Sequence, residues 1–272
     1  MAHRLIGIFV AFAVLSLAFG VLQFVWPGVK GQRVFRRGFL TDCLYWLWTP
    51  LVTRAVTPVA VGISLIPLVL LRGTPLRELV HGYGTLASLP LWEQGVLIFI
   101  AGDFLGYWQH RMFHSTRLWP FHAVHHSSTE LDWLSSVRLH PVNDVLSRIV
   151  VAVPLVAAGF NTTVVALYAP FTTVYAIMLH ANLNWDYGPL RAVFASPAFH
   201  RWHHTGESEG QNKNFAGALP IWDLLFGTFY MPRGRAPEAF GISDPMPQTF
   251  IGQMISPFRG RGRVQAVAEA AR

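Results

Sequence analysis

The chain has 272 residues, of which 52% are hydrophobic and only 13% charged, about half the charged share of a soluble domain. That deficit points to lipid as part of the solvent, and the single cysteine, Cys43, excludes an intrachain disulfide and a cysteine-rich metal site within these residues. The net charge of +7, carried by nineteen arginines and two lysines, fits the positive flanks of membrane spans better than a nucleic-acid surface, because the basic residues border apolar segments and form no stripe with stacking aromatics.

In chain order, LIGIFVAFAVLSLAFGVLQFVW (Leu5–Trp26) is uncharged and long enough to cross a bilayer, which takes about 20 residues. A signal peptide is the competing reading, but the run is long for one and a retained span is expected. The basic stretch KGQRVFRR follows. The region Leu44–Leu71 contains Arg54 and three prolines (Pro50, Pro58 and Pro67) and predicts a kinked span whose polar residues face protein. A third span is predicted over Leu89–Tyr107. The apolar stretch Val145–Leu179 is broken by GFNTT (Gly159–Thr163), which reads as a turn. Each half is about 16 residues, short for an independent span, so a helical hairpin returning to its own side is expected. Beyond Pro189 the hydrophobicity falls, and the tail FRGRGR is basic.

The expected fold is therefore an all-α integral membrane bundle, about three spans plus a hairpin, with a histidine-rich helical cap. Residues 1–88 are expected to form an N-terminal transmembrane region, 89–232 a histidine-bearing region and 233–272 a basic tail. With the N-terminus outside, Arg4, Arg72 and Arg77 fall outside, Arg54 lies within a span, and seventeen of the twenty-one Lys and Arg fall inside. That distribution follows the positive-inside rule and places the cap in the cytoplasm.

Eight of the twelve histidines stand in two windows, HRMFHSTRLWPFHAVHH (His110–His126) and HRWHH (His200–His204). In HRMFH the two histidines are four apart, neighbours on one helix face, and Asp103, Tyr107, His110 and His114 continue one stripe. In HAVHH and HRWHH the adjacent histidines diverge by about 100° around a helix. Such a pair cannot easily ligate one metal from one direction, so the doubled histidines suggest two metals, each approached from several helices. Imidazole suits zinc, copper, iron and nickel alike. The zinc-peptidase HExxH is absent, and no acid within these motifs offers a general base.

These windows resemble a known family. DFLGYWQHRMFH, WPFHAVHHSS, RLHP, SPAFHRWHHT and NFAGALPIWDLLFGTFYMP look like the fatty acid hydroxylase/sterol desaturase superfamily of membrane di-iron oxygenases, over about Leu97–Pro232. The resemblance implies metal ligation by His110, His114, His122, His125, His126, His200, His203 and His204. It implies a further ligand at His180, in MLHANLNWDYG, with His140 of RLHP as an additional candidate. Asp103, Asp144 and Asp223 are candidates for orienting ligand imidazoles, and Trp119, Trp133, Trp202 and Trp222 for anchoring the cap at the membrane interface. The implied cofactors are two non-haem irons with O2 as co-substrate. The implied reaction is hydroxylation or desaturation of a lipid C–H bond, the substrate being a sterol, fatty acyl chain or related lipid. Electrons are expected from a separate donor of the cytochrome b5 or ferredoxin type, and no nucleic acid is involved. The expected location is the bacterial inner membrane, or the endoplasmic reticulum in a eukaryote. A metal transporter, a membrane zinc hydrolase and a structural metal-binding scaffold are the alternatives.

Overall fold

The computed structural model describes residues 2–115 and 117–259. The basic stretch from Gly260 onward lies outside them. Long helix α1 (Ala2–Val25) leads to α2 (Phe39–Trp48), which passes through a π-helical turn at Thr49–Thr53 into α3 (Arg54–Arg72). Short helices α4 (Leu76–His81) and α5 (Gly84–Ala87) precede α6 (Leu91–Phe113) and α7 (Trp119–His126). Helices α8 (Pro141–Ala158) and α9 (Thr162–His180) form the hairpin, and α10 (Pro197–His203), α11 (Ile221–Leu225) and α12 (Phe250–Ile255) follow.

Three helices, within Leu5–Val25, Pro141–Ala158 and Thr162–His180, are long and apolar enough to cross a membrane. The pair Phe39–Thr53 and Ala55–Leu71, bent by 42°, makes a fourth if counted as one span. By length and composition this is an all-α membrane bundle. The bend lies at the π turn that contains Pro50, where a missing N–H and an irregular ladder both favour a kink. Side chains of α1 such as Phe24 (87% exposed) and Leu17 (72% exposed) face outward, as lipid-facing residues must.

Two sequence expectations are revised. The hairpin helices run 18 and 19 residues, about 27 Å each at 1.5 Å per residue, so they are longer than the expected halves and each meets the criterion for a span. Conversely, α6 covers the expected third span but is not among the helices apolar enough to cross. Gln94, Asp103 and Gln109 lie on it and are buried, because it packs against α8 and α9 inside the bundle.

The two ends of the bundle are tied differently. At one end the hairpin turn meets the start of α6. Asn161 caps α9 by accepting from Thr163 N–H at 2.9 Å, and its own N–H donates to Gln94 Oε1 at 3.0 Å. Gly159 has φ +102°, and a Cβ there would lie 2.3 Å from the Tyr83 carbonyl, so only glycine lets the two segments close. At the other end the C-terminus of α6, the start of α8 and the end of α9 converge with α7 and α10. The N–H of Gly28, just past α1, donates to the Asn182 carbonyl there. The hairpin therefore leaves and returns to the histidine-bearing end. At that end Arg36 joins Asp42 (2.8 Å) and Asp132, and Arg138 joins Asp42 (2.6 Å), all buried. These pairs link the entry to α2 with the loop after α7.

Trp133 and Trp202 are buried among core side chains, so they are not interface anchors. Trp119 and Trp222 donate their indole N–H groups to Asp244 (3.0 Å) and Asp103 (3.1 Å).

Candidate metal centre

The histidines of four helices and their ends meet in two groups. One holds His110, His114, His122, His126 and His203; the other holds His125, His180, His200 and His204. Within each group the ligand-type nitrogens lie within 4.8 Å of one another. Helix α6 and its end supply His110 and His114, α7 supplies His122, His125 and His126, α9 ends on His180, and α10 with its cap supplies His200, His203 and His204. Both adjacent pairs are divided: His125 faces one group and His126 the other, and His203 and His204 divide likewise. The 100° step of a helix sends the two side chains of each pair in different directions, and their ring planes are crossed at 89° and 90°. The two groups adjoin where His126 stacks on His204 with centroids 4.3 Å apart.

The hydrogen bonds fix which nitrogens point inward. Nδ1 of His110 donates to the Phe215 carbonyl (2.8 Å), that of His203 to the Lys213 carbonyl (2.7 Å) and that of His114 to Asn212 Oδ1 (3.2 Å). Those of His122, His125 and His180 donate to Asn143 Oδ1 (2.8 Å), the Arg138 carbonyl (3.2 Å) and the Ala176 carbonyl (2.7 Å). A neutral imidazole with its proton on Nδ1 carries a lone pair on Nε2. Yet Nε2 of His110 stands 3.1 Å from Nε2 of His122, and Nε2 of His180 stands 3.1 Å from that of His125. Two lone pairs so placed cannot hydrogen-bond. Nε2 of His114 and of His203 are also buried without a partner. Inward lone pairs without protons are a donor set for a cation, and metal nitrogen distances of about 2.0–2.1 Å put neighbouring ligands about 2.9–3.4 Å apart, which matches these contacts.

Burial makes the same point electrostatically. Desolvation pushes His110 down to about 4 and His114 down to about 3. It holds His122, His125, His126, His200, His203 and His204 well below the ordinary imidazole range, and neighbouring imidazoles add to the effect. The rings are neutral at pH 7 and ready to ligate. Among the described residues no carboxylate enters either group.

The sequence of the matched region now places the chain. Residues 95–228 match the fatty acid hydroxylase family, and they contain all nine clustered histidines. The chain belongs to the fatty acid hydroxylase/sterol desaturase superfamily. Ornithine lipid hydroxylase OlsE of Rhizobium tropici is 31% identical over 181 residues, covering 66% of this chain and 55% of that protein. Alkylglycerol monooxygenases are also similar: the Danio rerio protein at 32% identity over 70% of this chain and 43% of its own length, and the Homo sapiens protein at 30% over 71% and 44%. The chain thus spans about half the length of the relatives it matches. No solved structure matches it.

Against this superfamily's histidine pattern, the fold gathers His180 into the four-histidine group and leaves His140 outside both. His140 instead caps α8: its Nδ1 accepts from Val142 N–H (3.2 Å), and its Nε2 meets the Met254 carbonyl (3.1 Å). None of the three candidate aspartates meets an imidazole. Asp103 accepts from the N–H groups of Ala218 (2.8 Å) and Leu219 (2.9 Å), and Asp223 from those of Phe215 (2.8 Å) and Ala216 (2.9 Å). Asp144 pairs with Arg148 four residues on, at 3.0 Å. The expected orienting role falls to Asn143, Asn212 and main-chain carbonyls, because the buried aspartates are taken up by loop amides. Asn143 stands 21 residues from His122, and nothing in the sequence connects the two. Asn212 and Asn214 do leave a trace, since both adopt positive φ, which asparagine tolerates better than other side chains.

Proposed function

We propose that this chain is a membrane-bound non-haem di-iron oxidoreductase that uses O2 to oxidise a C–H bond of a lipid. The observation that carries the reading is the division of nine neutral histidines into two adjoining groups at one end of an apolar bundle. His110, His114, His122, His126 and His203 would hold one iron, and His125, His180, His200 and His204 the other. Bound iron would supply the one-electron and oxygen chemistry that side chains lack.

The chain's own residues do the rest. The Nδ1 hydrogen bonds of His110, His114, His122, His125, His180 and His203 hold those six rings in one tautomer. The apolar helices bring both groups to the end of a lipid-facing bundle, where a lipid reaches them without leaving the bilayer. The similar proteins are named as hydroxylases and monooxygenases of lipids, which favours hydroxylation over desaturation. Each of the nine histidine assignments, the cytoplasmic face of the cap and an electron donor of the cytochrome b5 or ferredoxin type belong to this proposal. A zinc hydrolase is disfavoured because neither group contains an acid to serve as general base. A transporter is disfavoured because the groups gather at helix ends and transport sites lie near mid-bilayer.

The test is expression in a host supplied with oxygen, followed by mass spectrometry of its lipids. A gain of about 16 Da on one lipid class in wild type, absent from His125→Ala and His204→Ala, is the expected result. Unchanged lipids with an active reductase present would defeat the reading.

A further inference from the structure

Three of the five histidines in one group donate their outward hydrogen bond into one stretch of four consecutive residues, Asn212–Phe215. Asn212 Oδ1 accepts from His114, the Lys213 carbonyl from His203 and the Phe215 carbonyl from His110. These histidines come from two separate elements, the end of α6 and α10, so the loop bridges both. The four-histidine group makes no such contact: His125 and His180 donate to the carbonyls of Arg138 and Ala176.

The loop is itself held rigidly. Asn214 is fully buried; its Nδ2 donates to the carbonyls of Phe199 (2.8 Å) and Tyr230 (2.6 Å), and its Oδ1 accepts from Tyr230 N–H (2.7 Å). Asn212 and Asn214 stand at φ +56° and +58°, so the chain turns sharply at alternate residues, and the carbonyls of Lys213 and Phe215 face the histidines. Asp223 then fixes the far end through the N–H groups of Phe215 and Ala216, and Thr228 donates to it at 2.6 Å.

We propose that Asn212–Phe215, clamped by Asn214 and Asp223, is the positioning loop of the five-histidine group alone, setting the tautomer and aim of His110, His114 and His203. The other group is positioned independently of it. This rests on the reading above that each group holds a metal. Asn214 and Asp223 are positioning residues: Asp223 acts through the loop, and Asn214 ties the loop to the Phe199 carbonyl of α10. Losing a partner of this kind ordinarily weakens metal binding by about 10–100-fold, and here the loss falls on one site of two.

The experiment is a cobalt(II) titration of the full chain purified in detergent, followed by visible absorption, chelator competition and elemental analysis. Asp223→Asn keeps the side chain's size but turns one acceptor into a donor facing a loop N–H. Asn212→Gly removes the acceptor for His114 at an exposed position, keeps the left-handed backbone and leaves the core intact. Each variant should weaken one cobalt site about 10–100-fold and leave the other within about twofold. Asn212→Asp, which restores the acceptor, should recover most of the loss. Equal weakening of both sites, no weakening of either, or a wild type that never binds two cobalt ions would overturn the proposal. The titration is read without turnover. Selective weakening in a chain that oxidises no lipid would uphold the loop's role and defeat the lipid reading, whereas lipid oxidation with both sites unmoved would do the reverse.

Discussion

Replacing His203 and His204 one at a time separates the two sites most directly. The two are adjacent, but His203 joins the five-histidine group and His204 the four-histidine group, with ring centroids 5.3 Å apart and planes at 90°. Structural zinc held by four ligands is bound by about 10–16 kcal/mol, so one imidazole contributes roughly 3 kcal/mol. At about 1.4 kcal/mol per tenfold, its loss weakens that site on the order of 100-fold. With free metal buffered about tenfold above the wild-type dissociation constant, wild type would carry about 1.8 metals per chain. His203→Ala and His204→Ala would each carry about one, the affected site falling to roughly a tenth occupied. His204→Ala should be the more severe, because it leaves three imidazoles where His203→Ala leaves four. Elemental analysis of equilibrated protein, with spectra to show which site remains, reads the result. Loss of both metals in either variant, or a wild type that never exceeds one metal per chain, would refute the two-site reasoning.

Further predictions concern topology, acid and the buried ion pairs. Reporters at Gly82, beside the hairpin turn, and after Arg272 should score on opposite sides of the membrane, the second in the cytoplasm; scores on the same side would break the assignment. For His110 the folded pKa is lowered to about 4 from an ordinary 6.5, so the unfolded chain takes up protons that the folded one refuses. The stability of metal-free protein should therefore be held above about pH 6.5 and decline as pH falls toward 4; a melting temperature that stays flat from pH 7 to 5 would contradict this. Asp42→Asn removes the carboxylate that Arg36 and Arg138 share and should destabilise the fold by about 3–5 kcal/mol, read as a lower melting temperature and yield. Gly38→Ala should also destabilise, since φ there is +84° and a Cβ would lie 2.6 Å from Arg138 Nη2; a wild-type melting temperature would count against that packing.

The sequence alone determined what depends on local periodicity. The hairpin break at Gly159–Thr163, a kink within the proline-bearing region Leu44–Leu71 and the division of His125 from His126 and of His203 from His204 follow from turn chemistry, missing amides and the 100° step of a helix. The stripe Asp103, Tyr107, His110, His114 was equally legible, and all four residues meet partners between Asn212 and Thr228. Only the tertiary structure decided the partners themselves. It sent Asp103 and Asp223 to loop amides, paired Asn143 with His122, made His140 a helix cap and buried one face of α6, with Gln94, Asp103 and Gln109 on it. The physical reason is range. Helix phase repeats every few residues and is written in the spacing of side chains, whereas a buried imidazole bonds whichever acceptor the packing delivers, and here that acceptor stands up to 114 residues away.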